Sequence, residues 1–150
     1  MIRLVVFDAY GTLFDVYAIA ELAEQLFPGQ GSALSVLWRD KQIEYSRLVS
    51  LSDPINPMGS RHYQSFWDLT RLALQYSCQR LQLTLTPAMQ KQLMDQYAQL
   101  KPFAETLEVL KALNGKRLRC AILSNGSPDM LQAAVHGAGL TGWIDQTISA

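Results

Sequence analysis

The chain has 150 residues, of which 49% are hydrophobic and 17% are charged, a composition that suits one domain of ordinary size with a buried core. Its formal net charge is zero, and no basic run occurs, so neither nucleic acid nor an anionic membrane surface is expected as a partner. The sequence shows no signal stretch and no apolar window long enough to span a bilayer, which predicts a cytoplasmic protein.

The cysteines and histidines do not indicate a disulfide framework or a metal site. Cys78 lies in a helical pattern and Cys120 in an apolar run, so both are predicted to be buried free thiols. His62 and His136 lie in unrelated segments, without metal-ligand spacing. We therefore expect no metal site built from these residues.

The first predicted element is a strand over residues 2–7 that ends in a carboxylate, Asp8. Its branched apolar residues are typical of a strand buried on both faces of a parallel sheet. Ligands in open α/β sheets bind at the carboxyl ends of strands, where Asp8 would lie. Gly11 permits a tight turn, and Thr12 adds a hydroxyl. Asp8 could instead only cap the turn, although Asp15 is already placed to cap the next helix.

Four helical patterns follow this turn. The predicted helices span residues 16–27, residues 32–48, residues 61–81 and residues 87–100. Pro28 and Gly29 stop the first helix, Ser32 could cap the second, and Thr86 caps the fourth. Their short connections predict an antiparallel helical subdomain.

Two further features of this region bear on its structure. Residues 50–60, with Pro54, Pro57 and Gly59, are predicted to form a loop. The third helix carries an aromatic stripe near Trp67, which is more typical of a helical core than of a ligand pocket.

From Phe103 onward the pattern alternates between helix and strand. We predict a helix over residues 104–113, a strand over 118–123, a helix from Ser127 to about 138, and the approach to a third strand over 144–150. Asn114 and Gly115 would supply a left-handed stop to the first of these helices. The order predicts an α/β fold, a doubly wound (Rossmann-like) parallel sheet over residues 1–15 and 101–150, with a helical-bundle cap over 16–100 inserted into it.

The second strand ends in Ser124, Asn125 and Gly126. A right-handed parallel crossover can bring this strand end beside Asp8. Hydroxyl, amide and backbone N–H groups before a helix N-terminus are suited to an anion. The alternative is an ordinary turn in which the serine and the asparagine only cap.

Arg39 is the third candidate. An arginine on a helix is usually solvated, but this one follows Trp38 in the predicted cap, which would close over Asp8. The neighbouring Asp40 could temper the field around its guanidinium.

The segments around these candidates, residues 3–15, 37–45 and 123–126, together resemble those of the L-2-haloacid dehalogenases of the haloacid dehalogenase superfamily. The resemblance implies that Asp8 is the nucleophile, attacking C2 of a short 2-haloacid, and that Arg39 with Asn125 receives the halide. Thr12, Tyr10, Ser124 and Asn125 would bind the substrate. It further implies a D-2-hydroxy acid product, no cofactor, and a homodimer through cap helices.

The superfamily's phosphatases are the main alternative. They carry a second aspartate two residues after the nucleophile, where this chain has Tyr10. An alkoxide needs a proton in order to leave, whereas a halide does not. A phenol, with a reference pKa of about 10, is a poor acid and cannot help a carboxylate pair to hold Mg²⁺.

The resemblance also implies a longer enzyme, with a later lysine beside the nucleophile. Lys101, Lys111 and Lys116 do not lie at the matching place. We therefore interpret the chain as an N-terminal portion that forms the ester slowly at best. A catalytically incomplete fragment whose helices serve mainly for interaction is the other alternative.

Overall fold

The structure is a computed structural model that describes residues 2–53, 55 and 59–150. It divides into two compact units. The first contains the residues up to Ala18 together with Gln96–Ala150, and the second contains Ile19–Asp95. Within the described residues, no helix combines the length and the apolar character required to cross a membrane.

The first unit contains a three-stranded parallel sheet. Its strands are β1 (Leu4–Phe7), β2 (Arg119–Ser124) and β3 (Gln146–Ser149), paired in the order β1-β2-β3. The helices α5 (Thr106–Gly115) and α6 (Pro128–Gly137) lie in the two crossovers. The predicted α/β class and the parallel sheet are confirmed.

One face of this sheet is exposed, which corrects the prediction that β1 is buried on both faces. Both crossovers progress in the same direction, and right-handed crossovers then place their helices on one face. The opposite face carries Leu4, Val6, Leu123 and Ile148, each between 40% and 49% exposed. The apolar run of β1 therefore gives its strand character correctly but not its burial.

The second unit is helical. A short 3₁₀ helix, Val16–Ile19, begins at the edge of the first unit, and Asp15 caps it by accepting a hydrogen bond from the Tyr17 N–H at 2.9 Å. It is followed by the helices α1 (Ala20–Leu26), α2 (Gly31–Leu51), α3 (Phe66–Arg80) and α4 (Pro87–Tyr97), the last of which ends in the first unit.

The start of α2 differs from the prediction. Gln30 is its N-cap residue, and Ser32 lies within the first turn. The Glu24 carboxylate instead accepts hydrogen bonds from the N–H groups of Gly29, before the helix, and of Gly31, its first residue, the latter at 2.8 Å. A carboxylate from α1 therefore joins the two helices at their connection.

Two more helix boundaries differ. The third helix begins at Phe66 rather than near 61, because Ser65 caps it by accepting a hydrogen bond from the Asp68 N–H. Gly115 belongs to α5, and the left-handed residue after this helix is Arg117, with φ of 59°. A side-chain cap thus begins α3, and a left-handed backbone conformation follows the end of α5, at positions that apolar periodicity does not mark.

Other local predictions are confirmed. The Thr86 side chain accepts a hydrogen bond from the Met89 N–H, and the Ser127 side chain accepts one from the Met130 N–H. Cys78 and Cys120 are buried free thiols. Of the predicted loop at 50–60, Pro54 and Pro57 lie outside the described residues, and α2 continues through Leu51.

We predict that the Glu24 carboxylate contributes to the stability of the folded chain in a pH-dependent way. Its two backbone donors lower the pKa of Glu24 from its ordinary value of 4.5. A group with a depressed folded-state pKa stabilises the protein above its unfolded-state pKa, and that contribution is lost as the pH falls. We expect Glu24→Gln to lower the melting temperature at pH 7, and the difference from the unsubstituted chain to shrink as the pH falls below 4.5.

Glu24→Asp is the matched variant because it keeps the charge but is one methylene shorter. It should lose stability at pH 7, as Glu24→Gln does, in thermal melts followed by circular dichroism. A melting temperature unchanged in both variants at pH 7 would contradict the assignment.

Candidate active site

The pairing of β1 with β2 brings two strand ends to the same edge of the sheet. Val6 pairs with Ala121 and Phe7 with Ile122, in parallel register. Asp8 directly follows the first strand, and Ser124 ends the second. The predicted neighbours Asp8, Ser124 and Asn125 therefore all lie at the carboxyl edge of this sheet.

The turn after Asp8 is held by one carbonyl. The Ala9 oxygen accepts hydrogen bonds from the N–H groups of Thr12, Leu13 and Phe14, at 3.3, 2.9 and 3.0 Å. Gly11 has a φ of 93°, a conformation that costs little only for glycine. This compact turn returns the chain toward Asp8 within four residues.

Asp8 is exposed, and Thr12 lies beside it. The Thr12 hydroxyl donates to Oδ2 of Asp8 at 3.4 Å, a long hydrogen bond. The carboxylate oxygens remain accessible to a small molecule at the sheet edge.

The end of β2 combines a buried hydroxyl with an exposed amide. Ser124 is 5% exposed, and its Oγ accepts from the Gly126 N–H at 3.3 Å. This hydrogen bond is of the kind expected if Ser124 only caps an ordinary turn. The Ser124 oxygen is the acceptor, so its hydroxyl proton is still available to a ligand. The Ser149 hydroxyl donates to the Gly126 carbonyl at 2.8 Å, which ties β3 to the same turn. Asn125 is exposed at this edge.

Tyr10 is a buried wall of this site. Its side chain is 3% exposed, and its ring stacks on Tyr97 with centroids 5.9 Å apart. Burial first, and then the neighbouring Tyr97 and the Asp8 charge, raise the pKa of Tyr10 above its ordinary value of 10.0. The phenol therefore stays neutral at physiological pH and is an even weaker acid than an exposed tyrosine.

Gly126 provides the space for this ring. A Cβ at position 126 would lie 2.8 Å from Cε2 of Tyr10 and 3.0 Å from Cδ2 of Leu131. The absence of a side chain at Gly126 is thus what permits the Tyr10 ring to pack against the end of β2.

Arg39 belongs to the helical unit. It is half-buried on α2, and its Nη1 donates to Oε1 of Gln42 at 2.7 Å. Trp38 is 1% exposed and donates through Nε1 to the Thr70 carbonyl at 2.8 Å, so it anchors α2 on α3. Asp40 is exposed.

Sequence reasoning missed Tyr97, Gln42 and Thr70. Gln42 follows Arg39 at the i, i+3 spacing of one helix face, a signal that was available in the sequence. Tyr97 and Thr70 reach their partners through packing between segments distant in the chain, which local patterns do not show. Among the described residues, no group of three or more His, Cys, Asp or Glu side chains is arranged to hold a metal ion.

Comparison with known proteins identifies the family. The sequence model of the haloacid dehalogenase-like hydrolases matches residues 2–150. The chain belongs to this family, and its fold is the haloacid dehalogenase-like α/β fold that the motifs predicted.

Individual relatives give a narrower group. An (S)-2-haloacid dehalogenase of Xanthobacter autotrophicus is 44% identical over 149 residues, which cover 99% of this chain and 55% of that protein. An (S)-2-haloacid dehalogenase of Pseudomonas sp. (strain YL) is 40% identical over 148 residues, 99% of this chain and 60% of that protein. The chain thus spans between half and two thirds of the length of these relatives.

Solved structures agree with these relatives. A crystal structure of an L-2-haloacid dehalogenase matches with a TM-score of 0.91 and 53% identity, covering 99% of this chain and 63% of that one. The Xanthobacter autotrophicus enzyme with chloropropionic acid covalently bound matches with a TM-score of 0.87 and 42% identity, covering 99% and 57%.

Gly126→Ala should disturb the wall of the site. The added methyl group would have to displace Tyr10 or Leu131, both tightly packed, and overpacking of this kind costs about 1–3 kcal/mol. We expect a lower free energy of unfolding in urea titrations.

Gly115→Ala is the matched control. A Cβ at position 115 meets nothing within 4 Å, and alanine is favoured in a helix by about 1 kcal/mol. This control should be neutral or stabilising. Equal stability of the two variants would show that the close approach of Tyr10 to Gly126 has no energetic consequence.

Proposed function

We propose that this chain carries the nucleophile of a hydrolytic dehalogenase that converts short L-2-haloalkanoates to D-2-hydroxy acids. One observation carries the proposal. The exposed Asp8 carboxylate lies at the end of β1, and the residue two places on, Tyr10, is a buried neutral phenol. The relatives named (S)-2-haloacid dehalogenase support the same reaction class.

The proposed chemistry proceeds in two steps, a displacement at C2 of the substrate and the hydrolysis of the resulting ester. An oxygen of Asp8 attacks C2 of the substrate opposite the halogen, so that a C–O bond forms while the C–halogen bond breaks and the halide leaves with the bonding electrons. Water then adds to the carbonyl carbon of the Asp8 ester, and the bond between that carbon and the ester oxygen breaks. This step releases the hydroxy acid, regenerates the Asp8 carboxylate and gives one proton to solvent. The configuration at C2 inverts once.

We propose that some of the surrounding residues bind the substrate and that others stabilise the departing halide. We assign Tyr10, Thr12, Ser124 and Asn125 to substrate binding, since the hydroxyl and amide groups can hold the substrate carboxylate and the Tyr10 ring forms an apolar wall. Arg39 and Asn125 would stabilise the departing halide, Arg39 by its charge and Asn125 by its amide N–H groups.

Tyr10 is what favours carbon–halogen cleavage over phosphate transfer. Phosphate esters have an alkoxide leaving group that needs a proton. A phenol whose pKa is raised above 10.0 by burial supplies that proton poorly at neutral pH. A halide leaves as a stable anion and needs no such acid.

The proposal extends to the role of each unit. We propose that residues 16–100 form the cap domain. This is supported by the compact helical unit Ile19–Asp95, which lies in the chain between β1 and α5. We further propose a homodimer and a cytoplasmic location. The two buried free thiols are in keeping with a reducing compartment.

Asp8→Asn tests the nucleophile. With (S)-2-chloropropionate in excess, the unsubstituted chain should release chloride and gain the mass of one propionate ester, located at Asp8 by peptide mapping. Loss of the nucleophile should slow chloride release by on the order of 10⁴-fold or more. A single turnover in ¹⁸O water should place the label in the Asp8 carboxylate.

Asp15→Asn is the matched control, because Asp15 lies in the same segment but caps the helix that follows. It should release chloride at the rate of the unsubstituted chain. Undiminished chloride release by Asp8→Asn, or label in the hydroxy acid alone after a single turnover, would overturn the covalent mechanism. Mg²⁺-dependent hydrolysis of phosphate esters would favour the phosphatase alternative.

A further inference from the structure

A continuous chain of hydrogen bonds leads from Arg39 into the core of the helical unit. Arg39 Nη1 donates to Oε1 of Gln42 at 2.7 Å, and Nε2 of Gln42 donates to Oγ1 of Thr70 at 2.6 Å. The Thr70 hydroxyl in turn donates to the Phe66 carbonyl at 2.6 Å. Gln42 and Thr70 are both 0% exposed. This relay crosses from α2 to α3.

Chemistry alone fixes the direction of the relay. A carbonyl can only accept a hydrogen bond, so the Thr70 hydroxyl must donate its single proton to the Phe66 carbonyl. Thr70 can therefore only accept from Gln42, which requires that the amide NH₂ group face Thr70. The amide oxygen is then turned toward Arg39, whose guanidinium can only donate.

The backbone of the same residue is also engaged. The Thr70 carbonyl accepts the Trp38 indole N–H at 2.8 Å, and Trp38 directly precedes Arg39 on α2. Thr70 thus contacts α2 through both its side chain and its main chain. A shift of α3 at this residue would move the backbone and the side-chain support of Arg39 together.

We propose that Gln42 and Thr70 are positioning residues that hold the Arg39 guanidinium in one orientation for the departing halide. The role of Arg39 rests on the proposed function above, whereas the orientation of its side chain does not. Fixing the guanidinium before reaction removes the cost of ordering it when charge develops on the halogen.

The neutral amide at position 42 has a second consequence. A carboxylate there would also accept from Arg39, but it would compensate the positive charge that a halide needs. An amide oxygen orients the guanidinium without adding a negative charge beside it. Gln42 is therefore suited to anion binding at Arg39, and Gln42→Glu should weaken it even though a hydrogen bond is kept.

The first experiment measures orientation without any reaction. In ¹⁵N NMR of the full chain, we expect slow rotation of the Arg39 guanidinium and faster rotation in Gln42→Met, which keeps the length of the side chain but not its acceptor. Thr70→Val should show the same loss, and Thr70→Ser should retain slow rotation. Unchanged rotation in both Gln42→Met and Thr70→Val would overturn the relay.

The second experiment measures the consequence for the halide. Single-turnover esterification of Asp8 is compared for (S)-2-bromopropionate and (S)-2-chloropropionate. Poor orientation of Arg39 should matter more for the poorer leaving group, so Gln42→Met and Gln42→Glu should slow the chloride reaction by roughly 10-fold or more, and the bromide reaction less. A purely structural role predicts an equal loss with both substrates, which would contradict a role for the relay at the halide.

Ser77→Ala is the matched control. Ser77 is 0% exposed on the same helix, and its hydroxyl donates to the Ala73 carbonyl at 2.8 Å. This variant should change neither the rotation of Arg39 nor the ratio of the two rates, and melting temperatures verify that each variant folds. If no Asp8 ester forms in the unsubstituted chain while Arg39 rotation responds to Gln42→Met, the proposed function fails and the positioning by Gln42 stands.

Discussion

The site depends on the parallel pairing of β1 with β2. Phe7 and Ile122 are far apart in the chain, yet their pairing places Asp8 and Ser124 at the same edge of the sheet. The order β1-β2-β3 then adds β3, whose Ser149 hydroxyl binds the turn that follows Ser124. Without this register, the carboxylate and the polar strand end would be separate surface features with no common chemistry.

At that edge, Tyr10 is a buried phenol that does not readily ionise. Tyr10 fills the place of a second carboxylate with a ring that stacks on Tyr97 and packs against Gly126. Its burial keeps the phenol neutral and places an apolar surface beside Asp8. This combination supports the proposed displacement of a halide, which leaves without a proton, over chemistry that requires a proton donor.

The helical unit shows a second use of buried polar groups. Its core does not consist of apolar contacts alone, because Gln42 and Thr70 are fully buried and bound to each other. Buried polar groups lower stability unless they form hydrogen bonds, so polar residues in a core usually have a specific role. Here the chain of bonds ends on Arg39, and orientation of that guanidinium supplies the reason.

The sequence by itself determined the α/β class, the three motif segments, and caps such as Thr86 and Ser127, because strand runs and caps depend on neighbouring residues. It did not determine the exposed face of β1, the start of α2 or the surroundings of Arg39. Those follow from the direction of the crossovers, from the Glu24 carboxylate and from packing of α2 on α3. Only the tertiary structure decided them, since contacts between segments distant in the chain leave no periodic trace in the sequence.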